Sequence, residues 1–316
     1  MYISSRYHSR EKVKDKRGKK IRIENFFSPR QFSLINNGDE MLEFFSSIIE
    51  LIRQITQTKN KRKVFIDISK VEDLTIDAVI YLIVIIRNLT AKRDNVRFFG
   101  NLPENEDAKN LMLASGFDNF VKFKYNDFKT VELEKDLIKI TSGDENSPTE
   151  AGNIIDFICR KSGRTPVAYR PIYKMLIELM ANAKEHAYND SMMLPSWYCF
   201  VKCEENFANF IFLDTGLGIP KTLRKNFFER IKLFKSPSES FLIESALDGE
   251  FRTQTGKKYR GRGLPDIMNN QTQKRISNLT IISNRARIEI IDGIRCAKDI
   301  SHPLVGTLFF WKVRIR

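Results

Sequence analysis

Cysteine is scarce in this chain, and no two cysteines form a CxxC pair. Cys159, Cys199, Cys203 and Cys296 therefore read as reduced structural thiols, and the expected compartment is the cytoplasm. Long apolar runs are missing too. The longest, Ala78–Ile86, has nine residues, against the roughly 20 that a membrane-spanning helix needs. No apolar signal core follows the basic N-terminus, so neither secretion nor a membrane partner is expected. Histidine is limited to His8, His186 and His302. No internal repeat is evident. What is present is ordinary globular composition, 42% hydrophobic and 29% charged, over 316 residues; that length suggests about two domains.

The net charge of +14 is unevenly spread. Residues 1–22 hold nine Lys/Arg against two Asp/Glu, residues 23–130 hold fifteen of each, and residues 131–316 hold 29 against 22. Half of the excess thus lies in a short N-terminal tail, which is expected to be disordered and to attract polyanions, nucleic acid or acidic protein alike.

Beyond the tail, Gly38 and Asp39 mark a turn and a helix start. Met41, Phe44, Phe45, Ile48, Ile49 and Ile52 then recur at helical spacing. KVFIDISKV reads as a buried strand, LTIDAVIYLIVIIRNLTAK as a second helix and NVRFFGNL as another strand. EDAKNLMLASGFDNFVKF reads as a helix, a stop at Gly116 and a last strand. Strands alternating with helices indicate a small α/β domain over residues 23–130. The polar stretch Thr141–Asn153 reads as a linker or long loop, and a second domain is expected over 131–316.

The stretches VFIDISKVEDLTIDAVIYL and LMLASGFDNFVKF resemble a STAS domain, the fold of anti-anti-sigma factors and sulfate-transporter tails. Phospho-switched members carry Asp-Ser-Ser-Gly where this chain has Thr75-Ile76-Asp77-Ala78. With neither serine present, the resemblance implies an interaction module rather than a phospho-switch, with Thr75 as the remaining candidate acceptor.

The second half carries the chemistry. YKMLIELMANAKEHAYND reads as a helix with an apolar face of Met175, Leu176, Leu179, Met180 and Ala183. Glu178, Asn182 and His186 fall at i, i+4 and i+8, on one flank. A carboxamide oxygen there can ligate a divalent cation, and a carboxylate one turn away can deprotonate an attacking water; a solvated helix edge has the same spacing. WYCFVKCEENFANFIFLD reads as a β-hairpin that delivers Asp214 to a sheet end, where it can accept a hydrogen bond from an exocyclic amine. Gly216 and Gly218 allow close backbone approach or positive φ. Residues 220–262 hold eleven basic and five acidic residues. Gly261-Arg262-Gly263 before Leu264 reads as a glycine-rich turn opening a helix, whose N-terminus suits an anion. LVGTLFFWKVRI reads as a last strand with Gly306-Thr307 at its start.

Taken in order, ELMANAKEHAY, DTGLGIP, GRGL and a final GT strand resemble the ATP-binding domain of the GHKL superfamily, a two-layer α/β sandwich. No P-loop GxxxxGKS/T offers a rival for ATP. The resemblance implies ATP and Mg²⁺ as cofactors, with Asn182 as the Mg²⁺ ligand and Glu178 as the catalytic carboxylate of hydrolysing members. It implies Asp214, with Gly216 and Gly218, as the adenine reader. It further implies Gly261, Gly263 and Leu264 near the phosphates, Thr307 holding adenine through water, and His186 beside the pocket. Thr253, Thr255, Lys257, Lys258, Arg260 and Arg262, in a lid over about 220–262, are candidates for phosphate contact.

Among members, a sensor histidine kinase needs a phosphoacceptor histidine on a separate helix, and none of the three histidines is so placed. Gyrase-type enzymes carry a further domain, for which no segment follows Phe310 beyond six residues. NAKEHAY resembles most closely the anti-sigma serine-kinase branch, whose natural partner is a STAS-like domain. The expectation is a regulatory protein that binds and slowly hydrolyses Mg-ATP, coupling nucleotide state to a protein partner. The alternatives are a serine/threonine kinase acting on a separate protein and an ATP-gated nucleic-acid binder using the basic tail and lid. Both resembling families often dimerise, so a homodimer is among the expected assemblies.

Overall fold

A computed structural model describes residues 6–14, 20–55, 62–91, 96–121, 135–185, 196–226, 231, 237–251 and 263–316. The fold is mixed α/β, and the chain divides into two compact units, residues 1–134 and 135–316.

The N-terminal unit begins with a correction. Where it is described, the expected disordered tail forms two paired strands, β1 (His8–Lys14) and the start of β2 (Lys20–Phe27), antiparallel from His8↔Phe26 to Lys14↔Lys20. The pair is held by more than its ladder. Glu24 is fully buried, and its carboxylate accepts from Arg10 Nε at 3.0 and 3.1 Å and lies 2.9 Å from His8 Nε2. Arg10, which looked like surplus charge, therefore faces a buried counter-charge, which is how a buried carboxylate is tolerated.

β3 (Gln31–Phe32) precedes α1 (Gly38–Ile55), then come β4 (Arg62–Asp67), β5 (Asp73–Leu74), α2 (Ile76–Ala91), β6 (Val96–Gly100) and α3 (Glu106–Ala114). The main sheet has the order β1-β2-β4-β6, with β2, β4 and β6 parallel; β3 and β5 form a separate parallel pair. All six apolar positions predicted on α1 are buried. In α2 every residue from Ala78 to Ile86 is buried: a helix apolar all round is a central core element. The strand expected after Gly116 starts instead with a 3-10 turn, Phe117–Asn119, and its continuation lies outside the described residues.

The start of α2 is tied down by Asp77. Its carboxylate, 1% exposed, accepts the Leu34 N–H at 2.6 Å. The Thr75 hydroxyl is likewise buried, so a kinase has no access to the one acceptor the sequence left at this position.

In the C-terminal unit the expected linker is also corrected. Thr141–Gly143 closes a strand, β7 (Leu137–Gly143), and Pro148–Asn153 opens a helix, α4 (Pro148–Ser162). The Ser147 side chain accepts the Glu150 N–H at 3.3 Å and Pro148 stands in the first turn, so the polar residues that suggested a loop are a helix start. There follow α5 (Arg170–Glu185), β8 (Trp197–Glu204), β9 (Phe207–Asp214), α6 (Ile219–Asn226), α7 (Glu239–Leu247), α8 (Gly263–Thr272), β10 (Ser277–Ile291) and β11 (Ile294–Arg314). The sheet is antiparallel throughout, order β10-β11-β9-β8-β7. α4, α5 and α8 bury Ile154, Ile158, Leu176, Met180 and Ile267 in one core with Trp197, Phe210, Phe212 and Trp311 of the sheet. Phe210 stacks on Trp311 at 4.9 Å and Trp197 on Phe212 at 6.2 Å.

Asp77→Ala is expected to leave the Leu34 N–H unsatisfied and to destabilise the protein by about 1–3 kcal/mol. Asp77→Asn keeps an acceptor oxygen and should lose less. Urea unfolding of the two variants checks the order.

Candidate functional site

The site builds from two groups of side chains that α5 links, since α5 packs against both β9 and α8. The first lies at the end of β9. Asp214 pairs in register with Trp197 on one side and Thr307 on the other. Its Oδ1 accepts the Gly216 N–H at 2.8 Å, and the Thr307 side chain hydrogen-bonds the same carboxylate. Burial pushes the Asp214 carboxyl up to about 6, against the opposing pull of those two hydrogen bonds. Behind it, Ser283 Oγ lies 3.0 Å from Thr307 Oγ1 and accepts the Ile219 N–H at 2.8 Å. Thr215 joins the end of this group to the start of β8: its hydroxyl accepts the Ser196 N–H at 2.9 Å and lies 3.1 Å from the Ser196 carbonyl.

Two glycines make this arrangement sterically possible. Gly306 has φ +94°, and a Cβ there would fall 1.9 Å from the Asp214 carbonyl oxygen. Gly218 has φ +86°, and a Cβ there would fall 2.5 Å from Asn284 Oδ1. Asn284, itself at φ 49°, donates from Nδ2 to the Leu217 carbonyl at 3.0 Å and so clamps the DTGLGIP turn. The freedom expected of Gly218 for a ligand is thus used first by the protein's own carboxamide. Gly216 contributes its amide rather than an unusual backbone angle.

The second group is at the start of α8. A Cβ built on Gly263 would stand 3.2 Å from Asn182 Nδ2 and 3.8 Å from Glu178 Oε2. A carboxylate, a carboxamide and a helix N-terminus with its partial positive charge therefore meet at one place. Three residues predicted from two separate motifs come together here. Leu264, the next residue, packs partly buried against the core. Glu178 and Asn182 offer oxygen donors of the kind Mg²⁺ takes. No cluster of three or more His, Cys, Asp or Glu among the described residues is placed to hold a metal, so an ion here would draw most of its ligands from phosphate and water.

His186, Thr253, Thr255, Lys257, Lys258, Arg260, Gly261 and Arg262 lie outside the described residues. The segment expected as a lid over 220–262 contains two packed helices, α6 and α7. Ser240 N donates to Asp299 Oδ1 at 2.9 Å, Arg285 N to Glu239 Oε2 at 2.7 Å, and Arg295 binds both oxygens of Asp248 at 2.9 Å. Leu242, Ile243 and Leu247 are buried beneath α7. A groove of about 320 Å³ lined by Ile155, Pro166, Val167, Arg170 and Tyr173 shares no residue with either group.

Sequence reading missed Ser283 and Asn284. Both lie on β10, whose β-branched run Thr280-Ile281-Ile282 was the available signal. It also set Gly306-Thr307 at the start of the last strand, whereas β11 begins at Ile294. No protein-family model matches the chain, and no curated protein matches it.

Two outcomes follow from this geometry. Gly306→Ala should be severely destabilising, because the new atom meets backbone that cannot move aside. Gly293→Ala, at φ +82° with nothing within 4 Å, should cost only the about 1–2 kcal/mol of a left-handed residue; thermal melts of both check the contrast. The raised Asp214 pKa favours the protonated form in the folded state. Its stabilising contribution is complete below about pH 4, the unfolded value, and is lost as pH rises through about 6. Asp214→Asn lacks this titration. Its melting temperature should therefore gain on the wild type between pH 4 and 7, by an amount equivalent to roughly 3 kcal/mol, with a constant gap above.

Proposed function

We propose that residues 135–316 bind Mg²⁺-ATP and hydrolyse it slowly, and that the chain couples nucleotide state to binding of a regulatory protein partner through its N-terminal unit. The observation that carries this reading is the meeting of Glu178, Asn182 and Gly263. It supplies a proton acceptor, a hard oxygen donor and an anion-favouring helix end together, which phosphoryl transfer requires.

At the base end, a carboxylate has acceptor capacity for about four hydrogen bonds, and Asp214 gives one to the Gly216 amide and one to Thr307. An exocyclic amine donating to it offsets the burial that raises its pKa, so an adenine suits this group. Thr307 and Ser283 orient the carboxylate from behind. At the phosphate end, Asn182 would hold the cation, which when bound neutralises phosphate charge. Glu178 takes the proton of the attacking water. A serine or threonine kinase uses the same residues with a substrate hydroxyl in place of water. Buried Thr75 and Asp77 leave no acceptor at that position of this chain, so such a substrate would be a separate protein.

ATP binding by calorimetry and phosphate release from γ-labelled ATP test the reading. Asp214→Asn should weaken ATP at least tenfold with the fold intact, as expected for a lost hydrogen bond to a charged group. Glu178→Ala should bind ATP normally and lose about 100-fold or more in turnover. Wild-type affinity in Asp214→Asn would remove the base assignment. Turnover independent of Glu178 would remove the catalytic one.

A further inference from the structure

The N-terminal unit presents a second surface that the nucleotide reading does not use and on which it does not depend. Side chains alternate across a strand, so one face of the sheet carries Phe26, Val64 and Ile66, all buried. The other carries Phe27, Lys63, Phe65, Arg97 and Phe99. On this second face Phe27 is 44% exposed, Arg97 is exposed, and Lys63, Phe65 and Phe99 are partly exposed.

The pairing register makes these residues a block. Lys63 stands opposite Arg97, and Phe65 opposite Phe99, on adjacent parallel strands. Lys63 Nζ lies 5.5 Å from the centre of the Phe99 ring. At the end where β2, β4 and β6 start, Lys63 and Arg97 stand in one row with Ile23, whereas Lys12 and Arg22 pair one position away and belong to the other face. At the opposite end, Asp67 is tied up by Ser69 and by Asn101 Nδ2 at 2.8 Å. Glu11, on the edge strand, is an acid facing this surface at the Lys63 end.

A pair of cations beside partly exposed aromatic rings on one sheet face matches one kind of polymer. Single-stranded nucleic acid offers phosphates to the cations and base faces to the rings; duplex offers the phosphates but keeps its bases stacked. An acidic peptide would satisfy Lys63 and Arg97 and leave the phenylalanines without partners. We propose that this face of the N-terminal sheet binds single-stranded nucleic acid, with Lys63 and Arg97 on the backbone and Phe65 and Phe99 under the bases.

The test uses the full chain and fluorescein-labelled 12-nucleotide RNA and DNA single strands of mixed sequence, with a duplex hairpin and poly-glutamate as competitors. Anisotropy is followed from 50 to 300 mM KCl. Both single strands, or one of them, should bind with affinity falling steeply as salt rises; which one binds identifies the natural strand. Lys63→Glu with Arg97→Glu should weaken binding at least tenfold and flatten the salt dependence. Phe99→Leu should weaken single strands roughly tenfold while leaving the salt slope unchanged. Phe27→Ser, at an exposed position, is the companion variant least able to disturb folding, and circular dichroism melts accompany each protein. No binding of either single strand at 50 mM KCl overturns the proposal. So does binding that ignores both phenylalanine variants, or that duplex or poly-glutamate displaces as well as a single strand does.

Discussion

Gly306 is the constraint on which the C-terminal unit turns. Because this residue has no side chain, β11 passes so close to the end of β9 that a single added carbon would meet the Asp214 carbonyl at 1.9 Å. That approach sets Thr307 opposite Asp214 and brings Ser283 of β10 within reach of Thr307. Three strands thereby contribute to one carboxylate's surroundings. The carboxylate is held by groups already committed to the sheet, so its position requires no flexible side chain, and preorganisation of that kind is what a specific hydrogen bond to a ligand needs. The same close packing withdraws the carboxylate from water and raises its pKa, so position and protonation have one cause.

The group at the start of α8 is built differently. Glu178 and Asn182 are placed by helix geometry, one turn apart on α5, and the partner element α8 begins against them at a residue without a Cβ. A side chain on its first residue would press on the Asn182 carboxamide at 3.2 Å. The two groups are joined through the buried face of α5, where Leu176, Leu179, Met180 and Ala183 are fixed in the core. Core packing, rather than any polar contact, sets the relation between the ends of the site.

Much of this was legible in the sequence where a pattern was local. The apolar period of α1 and α5, the hairpin turn at Glu204–Phe207 and the glycine before Leu264 each carry their own signal. Misreadings arose where the signal was three-dimensional. Arg10 looks like part of a solvated tail because no residue near it in sequence explains its charge; its partner is Glu24, buried on the neighbouring strand. Ser147 and Pro148 look like loop residues because helix starts and loops use the same residue types. For Asn284 the β-branched run before it signals a strand but not the role: its part in shaping the DTGLGIP turn depends on a contact across 67 positions.

β10 and β11 run on past the sheet as a two-stranded ribbon to a turn at Asp292-Gly293. One end of this ribbon is woven into the five-stranded sheet at Thr307; farther along, Arg285, Arg295 and Asp299 grip α7. From Asp299 to Thr307 an extended strand spans about 27 Å at its usual rise. The ribbon changes register on both sides of Asn284, so twist collects at the residue that clamps the turn after Asp214. In mechanical terms it is a tie rod with one joint, and the joint sits beside the candidate base-binding carboxylate. This pair of strands connects α7 to that carboxylate, alongside the packing of α7 on α6 and α8.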